Sequence, residues 1–208
     1  MGSGPVPPAA IVTGAFPSPN HGDRRGHRPE LIVLHYTGMA STPEARARLC
    51  DPAAEVSAHW LICEDGMAEA LVPEDRRAWH AGAGAWQDRV DVNSRSIGIE
   101  IANPGDRPFA ARQMDALVAL LRDIMDRWQI GPEGVIGHSD MAPGRKIDPG
   151  PRGHPSCRLP VAFPTMGIRP GNCRGSPHRR RAGRAERRNR PPDGTSRIVN
   201  ILTSHQNG

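Results

Sequence analysis

The hydrophobic pattern of this chain is uneven. It starts sharply at Leu31-Ile32-Val33-Leu34-His35-Tyr36, a short, mostly apolar run ending in polar residues. Its length and its β-branched content fit a buried strand, although periodicity alone leaves a buried helix open. Thr42-Pro43 then opens a helix to about Leu49, with Thr42 as cap and Pro43 at the first helical position. Residues 56–63 read as a second strand. Glu64-Asp65-Gly66 is a turn signal, and residues 67–72 pair back as a hairpin. Residues 73–95 read mostly as loop. Ser96 to Ile101 alternates: Ile97, Ile99 and Ile101 point one way, Ser96, Gly98 and Glu100 the other. Met114, Leu117, Val118, Leu121, Ile124, Met125 and Trp128 recur at spacings of three and four. They predict a helix over 110–128 whose apolar stripe packs on a sheet, ended by Gly131-Pro132. Residues 134–137 form a last short strand into His138, and a polar loop, 139–152, follows. Together the elements predict an α/β fold, a mixed central sheet flanked by helices in a single catalytic domain.

Composition changes the picture at the two ends. Gly and Pro supply 45 of 208 residues, a share that predicts loop-rich or disordered stretches. Residues 1–30, rich in Gly, Pro and Arg, read as an irregular arm. Of these, residues 1–15 stand apart from a domain over 16–152. The charge is lopsided. Residues 153–208 carry eleven Arg against Glu186 and Asp193, net +9, whereas residues 1–152 are net −4. That tail has no amphipathic period and reads as disordered. No apolar run of 18 residues exists, which argues against a membrane helix. The N-terminus shows no basic, apolar leader, so the expected location is the cytoplasm, with the cell envelope as the alternative. Cys50, Cys63, Cys157 and Cys173 form no C-x-x-C pair and read as reduced, incidental thiols.

Candidate chemistry clusters where predicted strands end. His35 closes the first strand, His138 closes the last, and Asp148 lies ten residues on. Two imidazoles and a carboxylate leave a fourth zinc position open for water, whose bound form is acidic near neutral pH. Spacing alone is a weak signal, because no H-E-x-x-H pair on a helix is present. Glu100 is a carboxylate on the polar face of an otherwise Ile/Gly strand: a general base, or a solvated residue. Lys146, the only lysine in the chain, sits two residues before Asp148. Either it shares a site with Asp148, where an ammonium would stabilise an oxyanion, or it is a lysine retained by chance.

Six motifs occur in order: His35-Tyr36-Thr37-Gly38, Val56-Ser57-Ala58-His59-Trp60, Ala78-Trp79-His80-Ala81-Gly82, Ser96-Ile97-Gly98-Ile99-Glu100, Gly137-His138-Ser139-Asp140, and Gly144-Arg145-Lys146-Ile147-Asp148-Pro149-Gly150. From about Phe16 to Arg152 the chain resembles the zinc-dependent N-acetylmuramoyl-L-alanine amidases of AmpD and AmiD type, related to peptidoglycan-recognition proteins. The resemblance implies one Zn²⁺ per chain on His35, His138 and Asp148, with Glu100 and Lys146 as the catalytic pair. It implies hydrolysis of the amide between N-acetylmuramic acid and L-alanine in murein or its fragments; a monomer is the expected state. It leaves Tyr36 as groove or core, His80 as groove lining or packing beside Trp79, and Asn103 as a substrate contact. His59 reads as a buried strand residue, not a fourth ligand. Beyond Arg152 the family's aromatic helix is not recognisable, and the abrupt switch to Arg, Pro and Gly suggests a frameshifted tail. Two other functions compete. One is a non-catalytic peptidoglycan-binding module, disfavoured because all five positions are filled. The other is polyanion binding by the tail, disfavoured because its Arg block has no interleaved aromatic residue.

Overall fold

The structure, a computed structural model, describes residues 11–150. The readings for residues 1–10 and for 151–208, the tail included, lie outside the described residues. In chain order the strands are β1 (Ile11–Thr13), β2 (His21–Gly22), β3 (Leu31–Tyr36), β4 (Trp60–Ile62), β5 (Ala68–Ala70), β6 (Arg77–Ala78), β7 (Ser96–Ile101) and β8 (Val135–Gly137). The helices are α1 (Thr42–Cys50), α2 (Val92–Arg95), α3 (Ala111–Trp128) and α4 (His138–Met141). Six strands form one mixed sheet in the order β1-β5-β4-β7-β3-β8, and β2 pairs with β6 separately. Only the β4–β5 pairing in the large sheet is antiparallel; β7, β3 and β8 run parallel. This is the mixed sheet with flanking helices that the sequence predicts.

Alternation along β3 and β7 divides the interior. Ile32, Leu34, Ile97, Ile99 and Ile101 face α3 and pack with Ala116, Leu117, Leu120, Leu121 and Ile124. On the opposite face, Leu31 and Val33 join Val92, Ile136 and Met141. Leu61 there packs with Ala45 and Leu49 of α1. His35 continues the Leu31–Val33 face, and Glu100 continues the Ser96–Gly98 face. Both therefore point away from α3, because side chains two apart on a strand share a side.

Local chemistry moved several boundaries. Ser41, not Thr42, caps α1: its side chain accepts from Glu44 N–H, while the Thr42 hydroxyl donates to Glu64. The strand expected over 56–63 shrinks to β4, because residues 56 and 57 bond elsewhere. Asn20 donates to the Val56 carbonyl, and Ser57 N–H to that of Trp79. The stretch read as an irregular arm contributes β1 and β2, and the stretch read as loop contains β6 and α2. A four-residue helix, α4, follows β8 where a loop was expected. Its entry is fixed by Gly137 N–H donating to Asp140 Oδ2 at 2.8 Å.

Candidate metal centre

Register builds the site before any side chain is considered. In the β3–β7 ladder, His35 is paired with Glu100. In the β3–β8 ladder, Leu34 is paired with Gly137, so the next residue, His138, stands level with His35. Three adjacent strands thus present Glu100, His35 and His138 in a row at their carboxyl ends. Asp148 returns to this row on a loop pinned by Ser139 N–H donating to the Asp148 carbonyl at 2.9 Å. Lys146 N–H is held by the Ala142 carbonyl at 3.0 Å.

The side chains converge. His35 Nδ1 lies 2.9 Å from His138 Nδ1 and 3.0 Å from Asp148 Oδ2, and His138 Nδ1 lies 2.9 Å from that same oxygen. Among the described residues these three are the one group whose donor atoms gather closely enough for a metal ion, all within 4.8 Å of one another. His35 and His138 are 1% and 2% exposed. Burial, opposed by the hydrogen bond with Asp148, pushes the His35 pKa down to about 4 and keeps its imidazole neutral. Asp148 is held well below the usual carboxylate range by both histidines, against the effect of its own burial.

Glu100 stands apart from this charge balance. Its Oε2 is buried without a hydrogen-bond partner. Burial first, then the nearby Asp148 charge, push its pKa up to about 8 against the pull of Lys146. A carboxyl raised in this way exchanges protons near neutral pH. A cavity of about 380 Å³ opens over the row, and its lining includes His35, Tyr36, Arg48, Glu100, Lys146 and Asp148.

The remaining expected site residues fall into different places. Tyr36 lines this groove and a neighbouring cavity. His80 borders the groove, but both ring nitrogens already have protein partners: His35 Nε2 at 3.0 Å and Ser96 Oγ at 3.1 Å. Asn103 is 4% exposed and lines the neighbouring cavity; its Oδ1 accepts from Gly105 N–H, and its side-chain amide donates to the Arg107 and Pro108 carbonyls. Its amide is committed to holding the loop after β7. His59 lies just before β4 and is buried; its Nδ1 accepts from Gly98 N–H, so Nε2–H donates to the Arg76 carbonyl. Sequence reasoning missed Asn93, whose Oδ1 accepts from both His80 and Ala81 N–H. It also missed the Ala81 carbonyl, which accepts from His138 Nε2–H at 2.9 Å. No local signal marks a backbone carbonyl as part of a site.

Two imidazoles and a carboxylate, gathered beside the Glu100 carboxyl, form a group compatible with metal binding. The chain belongs to the N-acetylmuramoyl-L-alanine amidase family, whose model matches residues 25–151. AmiD of Escherichia coli is 39% identical over 140 residues, covering 60% of this chain and 50% of that protein. The 1,6-anhydro-N-acetylmuramyl-L-alanine amidase AmpD of Enterobacter cloacae is 36% identical over 154 residues, covering 65% of this chain and 82% of that protein. A solved AmpD structure superposes with a TM-score of 0.63 at 32% identity, covering 73% of this chain and 94% of that one. The chain spans about half the length of AmiD but most of AmpD. No helix among the described residues is long and apolar enough to cross a membrane.

Proposed function

We propose that the chain is a zinc-dependent amidase that cleaves the bond between the lactyl group of N-acetylmuramic acid and the L-alanine of a stem peptide. The observation that carries this reading is the unpartnered, buried Glu100 carboxyl in one groove with His35, His138 and Asp148. The donor set suits zinc: two neutral imidazole nitrogens and one carboxylate oxygen, with the other nitrogen of each imidazole already engaged. Zinc bound there supplies Lewis acidity and lowers the pKa of a bound water.

The protein's own groups divide the rest. Glu100, raised toward neutrality, accepts the water proton and passes it to the departing L-alanine nitrogen. Lys146 holds positive charge where the carbonyl oxygen becomes an oxyanion. Tyr36 and Arg48 line the groove that receives the substrate. The name of the AmpD relative specifies a 1,6-anhydro sugar, and soluble anhydro-muropeptides are the proposed substrates here, with a cytoplasmic site of action to match. The test is peptide release, followed by mass spectrometry, from an anhydro-muropeptide and from intact sacculi. Release that is lost on zinc chelation and restored by added zinc is expected with the fragment. Release unaffected by chelation refutes the zinc reading, and faster release from sacculi refutes the substrate assignment.

A further inference from the structure

His80 contacts a proposed zinc ligand from behind, and the direction of its hydrogen bonds can be worked out. The chain of contacts begins at His35 Nε2, 3.0 Å from His80 Nδ1. It continues from His80 Nε2 to Ser96 Oγ at 3.1 Å, and ends at Ser96 Oγ to the Val92 carbonyl at 2.6 Å. A carbonyl oxygen can only accept. Ser96 therefore gives its single proton to Val92 and must accept from His80, so His80 carries its proton on Nε2. Its bare Nδ1 then accepts from His35, whose proton is on Nε2. His35 Nδ1 is left bare, and it is the nitrogen that meets His138 and Asp148.

The same short segment serves the second histidine. The Ala81 carbonyl accepts from His138 Nε2–H at 2.9 Å, leaving His138 Nδ1 bare as well. The segment is itself clamped. Asn93 Oδ1 accepts from the backbone N–H of His80 at 3.1 Å and of Ala81 at 2.8 Å. Arg145 donates to the Ala81 carbonyl at 2.9 Å and to that of Ala83. Beneath the ring, Gly98 has no side chain. A Cβ there would lie 2.4 Å from His80 Cγ, so a glycine is required for the imidazole to sit this close to the sheet.

The structure assigns His80 as a positioning residue: it fixes the tautomer and orientation of His35 through a one-way hydrogen-bond chain anchored on the Val92 carbonyl. This goes beyond the groove-lining place expected of His80, and it rests on the proposed reading of His35, His138 and Asp148 as zinc ligands. Partners of this kind change metal affinity by about 10- to 100-fold when removed.

The test is the zinc affinity of the full chain, measured by competition with a chromogenic chelator, with the thermal midpoint of the zinc-free protein measured alongside. His80→Leu removes the acceptor and is expected to weaken zinc binding about 10- to 100-fold. His80→Asn, whose Oδ1 can take the place of Nδ1, is expected to recover most of that loss. Unchanged affinity in His80→Leu overturns the assignment. Equal losses in His80→Leu and His80→Asn also overturn it, since they trace to packing alone. A measurement on the unaltered chain stands beside the variants. In ¹⁵N spectra of the zinc-loaded protein, His35 and His80 should both be protonated at Nε2, and a proton on His80 Nδ1 overturns the chain. A wild-type chain that takes up no zinc overturns the metal reading and the inference together. Uptake that is equal in wild type and His80→Leu overturns the inference alone.

Discussion

The two faces of the central sheet are made by the same strands and do opposite things. Toward α3, β3 and β7 present Ile32, Leu34, Ile97, Ile99 and Ile101, all fully buried against apolar helix residues. On the other side the same strands begin with Leu31 and Val33, which join a second apolar cluster, and then present Ser96, Gly98, His35 and Glu100, where one missing Cβ makes room for an imidazole and one carboxyl oxygen has no partner. The first face stabilises the domain, because apolar area removed from water is its main contribution. The second holds buried polar groups that cost stability unless paired. The comparison teaches that strand alternation keeps these two demands from competing: stability and chemistry share a backbone but not a side chain. Changes on one face should therefore leave the other nearly untouched.

The largest expected effect belongs to the groove face. Glu100→Gln keeps the shape of the side chain but cannot take a proton, and turnover is expected to fall by about 10²- to 10⁴-fold. Zinc affinity, by chelator competition, should stay near that of the wild type. The same substitution should not weaken the fold. A carboxyl whose folded pKa is about 8 binds protons more tightly folded than unfolded. Its contribution to stability is therefore fully present below the unfolded value near 4.5 and is lost as pH rises toward 8. Zinc-free Glu100→Gln should thus gain on the wild type across that window, as read by denaturant midpoints at pH 5 and pH 8. A constant difference between the two pH values would sink this assignment of the charge.

On the α3 face, Leu120 is fully buried in the cluster beneath the helix. Leu120→Ala should cost about 2–5 kcal/mol of unfolding free energy, the usual range for a core truncation. In the fraction that remains folded, zinc affinity should be unchanged. A parallel loss of zinc affinity under folding conditions would show that the two faces are coupled through the strands, contrary to the separation argued above.

How far this separation was legible in the sequence differs by face. The α3 stripe and the Ile alternation in β7 follow directly from periodicity, which depends only on which positions are apolar. Those two elements fall within a residue of where the pattern puts them. The short strands β1, β2 and β6 escape the same reasoning because two or three residues carry no measurable period; their existence depends on partners distant in sequence. On the groove face, His35, His138 and Asp148 could be gathered from the family-like motifs, and the structure brings them together. Their orientation could not, since it depends on the Ala81 carbonyl and on Asn93. Asn103, which the family-like motifs offered as a substrate contact, lines the cavity beside the groove, and its amide also ties down the loop after β7.

The smallest effect tests the seam between helix and sheet. Glu74 accepts from Trp60 Nε1 at 2.9 Å and from Trp128 Nε1 at 2.5 Å, and pairs with Arg127 at 2.9 Å. It thereby ties the last turn of α3 to β4. Burial raises its pKa, but hydrogen bonds from Arg127, Trp128 and Trp60 outweigh that and hold it below the usual 4.5. A depressed folded pKa contributes stability above the unfolded value and loses it as pH falls through the folded one. Glu74→Gln should therefore cost about 1–3 kcal/mol at neutral pH, with the gap to wild type closing below about pH 4.5. Denaturation of the zinc-free proteins isolates this term, because the acid response of Asp148 is common to both. A gap that persists undiminished at pH 3 would mean that Glu74 acts by shape and not by charge. In either case groove affinity for zinc, measured at neutral pH, should not move, because the tie lies wholly on the α3 side of the sheet.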